Sequence, residues 1–143
     1  MDTSPVDMVE IFHRQSAAAE DTALLALEEQ FNVLVAELAM VHRSFASRSL
    51  GPGVERLHDQ IRFEAQTRQL EAILTSLCPI ERAIIQTPAS TIAELGVKAR
   101  HAAYVMSHYW DAPIDRVDWD ARTVRLLIEA ICDVARTPLP FAT

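Results

Sequence analysis

Apolar residues recur alternately three and four positions apart along four segments of the chain, the spacing of one face of an α-helix. The first set is Leu24, Leu27, Phe31, Leu34, Leu38, Val41 and Phe45. The second set is Phe63, Leu70, Ile73, Leu77, Ile80 and Ile84, in which only Gln66 breaks the apolar spacing. The later sets are Ile92, Leu95, Ala99, Ala102, Met106 and Tyr109, and then Val124, Leu127, Ile131 and Val134. No stretch alternates β-branched with polar residues over a strand's length. The pattern predicts an all-α protein with four main helices.

Breakers between these segments predict the connections. Gly51-Pro52-Gly53 lies between the first and second segments, and a polar stretch at 111–118 lies between the third and fourth. Short connections favour an antiparallel four-helix bundle. Pro79 falls inside the second helix, predicted from about Val54 to Gln86, and should kink it without ending it, because the apolar stripe keeps its phase.

Capping signals predict where the helices begin. Thr91 followed by Glu94 is a capping box at the start of the third helix, which should run to about Tyr109. Asp21 is the predicted N-cap of the first long helix, and Asp118 that of the fourth, which should end near Arg136.

Length and composition fit one domain. Of the 143 residues, 50% are hydrophobic, enough for a single core. We expect a short N-terminal helix or arm over 1–20, a helical bundle over 21–137 and a tail over 138–143. Cys78 and Cys132 are too few and too far apart for a zinc site, and both are expected to be buried free thiols.

The formal net charge of −7 disfavours nucleic-acid binding, which depends on neutralising phosphates with Lys and Arg. The alternative of a basic patch rests on residues flanking the Gly-Pro-Gly turn: Arg43, Arg48, Arg56 and Arg62. The acidic N-terminus does not resemble a signal peptide, and no apolar run reaches the ~20 residues that span a membrane. A cytoplasmic location is expected.

Ionisable and aromatic residues concentrate near the end of the third predicted helix. The set comprises His101, Tyr104, His108, Trp110 and Asp111. The two histidines are seven apart, which places them on one side of a helix but roughly 10 Å apart along its axis. The set is therefore interpreted either as an aromatic-rimmed helix end with satisfied histidines or as a low-molecular-weight ligand site. Glu55-x-x-His58 matches only part of a bundle metal site, so no metal or cofactor is expected.

Two further patterns concern packing. Gly96 and the alanines 99, 102 and 103 would let another helix approach the third one closely. Lys98 on the same helix could form an exposed ion pair with Glu94, four residues earlier. A second apolar row on the first helix, at Ala26, Val33 and Met40, is interpreted either as a wide core face or as a dimer interface.

The segment Thr87-Pro88-Ala89-Ser90-Thr91, with the Leu-x-x-Lys-x-Arg pattern of residues 95–100, resembles a group of small uncharacterised helical proteins of alphaproteobacterial genomes. The Asp21-Thr-Ala-Leu-Leu-Ala-Leu stretch is similar to theirs as well. The resemblance implies a bacterial, cytoplasmic helical protein and assigns no catalytic residue.

The sequence is rich in apolar helix faces but contains no phosphate-binding Gly-rich loop, Gly-x-Ser-x-Gly nucleophile elbow or His-Glu-x-x-His zinc-protease motif. This combination favours a non-catalytic function. We expect a helical accessory or interaction protein that binds a protein partner or itself, as a homodimer. The alternative is a bundle that binds a small molecule or metal at the His101 and His108 end of the third helix.

Overall fold

The computed structural model describes the backbone of residues 5–46 and 54–141, and side chains over 23–45 and 57–141. The α-helices are α1 (Pro5–Ala46), α2 (Val54–Gln86), α3 (Ile92–Val105) and α4 (Trp119–Ala135). Short 3₁₀ helices cover Ser107–Trp110 and Ile114–Arg116. No strand occurs in these ranges, so the all-α prediction is confirmed. The predicted Gly51-Pro52-Gly53 turn, with Arg48 beside it, lies outside the described residues.

Helix α1 runs without interruption through Asp21, so the prediction of a separate short N-terminal helix capped at that residue was wrong. The reason is local. Between Pro5, at the first helical position, and Asp21 there is no Gly or further Pro, and the segment contains Ala17-Ala18-Ala19; alanine has the highest helix propensity. An aspartate within such a segment costs less than a helix break.

Helix α2 begins at Val54 and ends at Gln86, as predicted. Pro79 lies inside it and leaves the carbonyl of Thr75 without its usual i+4 N–H donor. In the preceding turn the hydroxyls of Thr75 and Ser76 donate to the carbonyls of Glu71 and Ala72. The helix continues through the proline to Gln86.

The capping box at the start of α3 is present with one change. The Thr91 hydroxyl accepts from the Glu94 N–H at 3.2 Å, as predicted. The Glu94 carboxylate, which is fully buried, accepts from the backbone N–H and the hydroxyl of Ser90, each at 3.1 Å. It thereby satisfies donors one residue before the N-cap, because the Thr87–Ser90 connection folds back over the first turn.

The chain forms two compact units, one consisting of Met1–Glu28 with Ile84–Thr143 and the other of Glu29–Ala83. Within the first unit, α3 packs on α4. The buried centre of this contact consists of Ala99, Ala103, Ile128 and Cys132. Ala102, Trp110, Val124, Ile131 and Leu139 pack around it.

Glycine at position 96 permits a close approach of α3 to the end of α4. Arg136 adopts a left-handed conformation, with φ of 55°, and the N–H groups of Arg136 and Thr137 donate to the carbonyls of Asp133 and Cys132. These two bonds are those of a Schellman motif, which reverses the chain after a helix. Thr137 is thereby placed against Gly96.

The buried faces of α3 and α4 differ from the predicted seams. Ile92 and Leu95 are exposed, whereas Val97 and Ala103 are buried. On α4, Leu127 and Val134 are exposed and Ile128 and Cys132 are buried. The reason is that close packing selects the small-residue face of α3, and α4 carries two apolar stripes of which one turns inward.

We expect Gly96→Ala to destabilise the protein by about 1–3 kcal/mol, the usual cost of overpacking. The added Cβ would lie 2.6 Å from both the Ala135 Cβ and the Thr137 Oγ1, which outweighs the roughly 1 kcal/mol gain in helix propensity. Urea unfolding measures the change. Ala93→Gly, at an exposed position of the same helix, should show the propensity effect alone. Unchanged or increased stability of Gly96→Ala would contradict the close contact.

The two thiols should differ in reactivity. Cys78 is exposed, which corrects the expectation that both are buried, whereas Cys132 lies in the core. Burial, with a smaller contribution from Asp133, raises the pKa of the Cys132 thiol and lowers its thiolate fraction. An aromatic disulfide reagent should titrate one fast thiol in the native protein and two in urea. Cys78→Ser should abolish the fast phase; its persistence would show that the assignment is wrong.

Candidate functional site

The predicted cluster at the end of the third helix is not assembled as one site. The α-helix stops at Val105 rather than Tyr109, and Met106, at φ −102° and ψ 28°, leaves the helical conformation. His101 is buried at 6% exposure and Tyr104 is half-buried, whereas His108 and Asp111 are exposed. The seven-residue spacing of the histidines therefore no longer places them on one side, because the helical repeat ends between them.

Trp110 belongs to the core rather than to a ligand site. It packs against the α3–α4 centre, and its ring lies 5.1 Å from that of Phe141. Its indole N–H donates to Glu129 Oε1 at 3.0 Å. His108 instead stacks edge-on against Tyr109, with ring centroids 4.4 Å apart.

Arginines of α4 hold the connection that follows α3. Arg125 donates to Glu129 at 3.1 Å and to the carbonyls of Tyr109 and Ala112 at 3.3 and 2.9 Å, and its guanidinium lies 5.6 Å from the Trp110 ring centre. Arg122 donates in the same way to the carbonyls of Asp115 and Val117. These bonds satisfy loop carbonyls that would otherwise require water.

A groove of about 340 Å³ lies beside α3 in the first unit. Its walls come from the last turn of α2 and one side of α3. The lining residues are Ile84, Ile85, Lys98, His101, Ala102, Val105 and Met106. Of the sequence-predicted ligand residues, His101 lines this groove.

Lys98 occupies the polar end of the groove and does not form the predicted exposed pair with Glu94. Its ammonium donates to the carbonyls of Ile84 and Ile85 at 2.8 and 3.0 Å, while the Glu94 carboxylate bonds to Ser90. Those two carbonyls lie in the last turn of α2, where helical N–H partners run out and the helix dipole favours a cation. The lysine is therefore held by two carbonyl acceptors at a helix end, while the buried Glu94 carboxylate accepts from Ser90.

The outward side of α4 is an apolar surface, which we call the α4 outer face. It consists of Trp119, Thr123, Leu126, Leu127, Ala130 and Val134. These residues are spaced three, four and seven apart, so they form one stripe opposite Ile128 and Cys132. Trp119, Leu127 and Val134 are 77%, 60% and 68% exposed.

Ala26, Val33 and Met40, the row predicted as an interface or a wide core face, are all exposed on α1. Val33 and Met40 are more than half exposed. Their assignment to an interface stays a prediction.

Within the described part of the chain, no three side chains of His, Cys, Asp or Glu lie close enough together to hold a metal ion. His58, of the partial Glu-x-x-His pattern, is exposed. Within the same residues, no helix combines the length and apolarity needed to cross a bilayer.

The carboxylate of Glu28 is in an environment that disfavours its charged form. Glu28 Oε2 is buried and makes no hydrogen bond within the described residues. Burial raises the pKa of Glu28 above its usual value, and the positive charge of Arg100 offsets part of the increase. The Glu28 carboxylate therefore binds a proton more tightly in the folded protein than in the unfolded chain.

No protein-family model matches this chain, and comparisons with curated proteins and with solved structures give no significant match. The resemblance to alphaproteobacterial proteins accordingly stays a prediction, and function has to be argued from the groove and the α4 outer face.

Glu28→Gln is expected to stabilise the protein at neutral pH. Because the folded-state pKa of Glu28 is raised, this group contributes stability below the unfolded-state pKa that is lost as the pH rises through the folded-state pKa. The midpoint of thermal unfolding, measured from about pH 4 to about pH 8, should be higher for the variant at the upper end and converge with wild type at the lower end. Glu29→Gln, at an exposed neighbouring position, is the matched control. A difference independent of pH would contradict the assignment.

Proposed function

We propose that the protein is a non-catalytic helical interaction protein that self-associates by pairing the α4 outer faces of two copies. The observation that carries the proposal is the exposure of Trp119, Leu127 and Val134 on one helix face. An apolar stripe of this extent costs free energy in water, and contiguous apolar patches mark interaction surfaces.

A second copy is favoured as the occupant because the face is complementary to itself in the antiparallel direction. With a two-fold axis near Leu127, the two Leu127 side chains meet at the centre. Leu126 of one copy then lies opposite the small Ala130 of the other, so that large and small residues alternate. Isologous pairing of this kind is the commonest form of homo-oligomer.

Charged residues beside the α4 outer face also favour an antiparallel pair. Arg122 and Asp133 are eleven residues apart, about three helical turns, and therefore lie on one flank of α4. In an antiparallel pair equivalent flanks face each other, which brings Arg122 of one copy opposite Asp133 of the second.

Finer features belong to the same proposal. Short connections between helices that each carry an apolar face support an antiparallel four-helix bundle. In this bundle α2 is bent at Pro79, because that residue removes a backbone hydrogen bond. The resemblance of the Thr87–Thr91 segment supports a bacterial cytoplasmic setting. The exposed row at Ala26, Val33 and Met40 is available to a different protein partner.

A second candidate function, binding of a small molecule, is favoured by the groove that His101 lines. It involves a different surface from the α4 outer face and does not exclude self-association.

Leu127→Glu should convert the dimer to a monomer and weaken association at least about tenfold, because it places two carboxylates at the centre of the apolar contact. Size-exclusion chromatography with light scattering over a range of concentrations measures the change. Met40→Glu, at an equally exposed apolar position of α1, is the matched control and should leave the dimer intact. A wild-type monomer at every concentration, or a dimer broken only by Met40→Glu, would exclude the α4 pairing.

Cross-linking tests the direction of the same pair. In a Cys78→Ser background, Leu127→Cys should form an intermolecular disulfide readily. Thr123→Cys should not, since the two positions 123 would lie about 12 Å apart along the helix axes, beyond disulfide reach. Equal cross-linking at 123 and 127 would indicate a parallel pair and contradict the proposal.

A further inference from the structure

We propose that the groove beside α3 is a binding site for an amphiphilic carboxylate, with an aliphatic chain along the apolar walls and the carboxylate on Lys98. No step of the proposed self-association uses this site. The volume of about 340 Å³ lies at the small end of the ~300–1,000 Å³ typical of ligand pockets. It therefore suits a single chain rather than a polycyclic ligand.

The apolar side chains that line the groove favour a ligand with an aliphatic chain. Ile84, Ile85, Val105 and Met106 supply branched and flexible alkyl surface, and His101 supplies the aromatic ring of the lining. Methionine adapts its shape to irregular apolar ligands. Ile85 and Val105 are more than half exposed, so a ligand tail would cover alkyl surface that water now contacts.

Lys98 gives the groove its polarity. Its ammonium has three N–H donors, and two of them are directed at the carbonyls of Ile84 and Ile85. These bonds fix the position of the charge at the groove, so binding would not require the long side chain to be ordered anew. Within the described residues these are the two acceptors of the ammonium, which leaves its third donor for a ligand oxygen.

The chemical class follows from this combination. One fixed ammonium matches the single negative charge of a carboxylate, whereas a phosphate carries more charge and is often bound by additional donors from an Arg fork or a helix N-terminus. The groove instead adjoins the C-terminal end of α2, whose carbonyls repel an anion unless Lys98 lies between them. Recognition of the acid should therefore depend on Lys98, and recognition of the chain on the walls.

Three ten-carbon probes that differ in head group test the proposal: decanoate, decan-1-ol and decyltrimethylammonium, each kept below its micelle concentration. Binding is followed on the full chain by NMR with ¹³C-methyl methionine. The Met106 methyl lines the groove, and the exposed Met40 methyl on α1 is an internal control. Decanoate should shift Met106 but not Met40, and should bind about tenfold or more tightly than the alcohol.

Two kinds of variant separate the contribution of charge from that of folding. Lys98→Met keeps the length of the side chain and should abolish the preference for decanoate over decan-1-ol. Because this change also removes a cap from α2, a second pair is made at the exposed rim position 105. Val105→Glu should abolish decanoate binding by repulsion, whereas Val105→Lys, equally polar, should preserve it.

Several results would overturn the proposal. They are absence of a Met106 shift with decanoate, equal affinity for all three head groups, equal effects of Val105→Glu and Val105→Lys, or an unchanged head-group preference in a folded Lys98→Met variant. Equal affinity would identify the groove as a nonspecific apolar surface.

Discussion

The close contact between α3 and α4 is the constraint on which the rest of the first unit depends. Gly96 lets the end of α4 approach α3 to a distance that a Cβ would prevent. Ala99 and Ala103, which also have small side chains, belong to the buried centre of the same contact. The contact fixes which side of each helix is buried. It therefore also fixes which apolar residues of α4 remain outside, with Ile128 turned inward and Leu127 outward.

The same packing determines what the polar residues near the end of α3 can do. Trp110 and Arg125 stabilise the connection to α4 through Glu129 and loop carbonyls, so they are engaged in the fold. On the other side of α3, Lys98 reaches the end of α2 and carries a charge to the edge of an apolar groove. A single helix thus separates the side that packs on α4 from the side that lines the groove.

Interaction and ligand binding, as proposed here, use different residues of the same unit. The α4 outer face has apolar area and balanced flanking charges, which suit a second helix. The groove has a small volume and one fixed cation, which suit a small acid. The division has a physical basis, because a flat stripe can bury area only against another large surface, whereas a concave site can enclose a short chain.

Local signals in the sequence determined the helical class, the ends of α2, the Thr91 cap and the use of small residues on α3, because caps, breakers and propensities act over a few residues. The sequence also pointed to His101, but not to its partners in the groove. Spacing alone could not choose between the two apolar stripes of α4, since Leu127 and Ile128 are equally apolar. It could not place Lys98 either, because the carbonyls of Ile84 and Ile85 are brought to it only by the tertiary fold. Those choices depend on which surfaces of distant helices meet, and only the tertiary structure decided them.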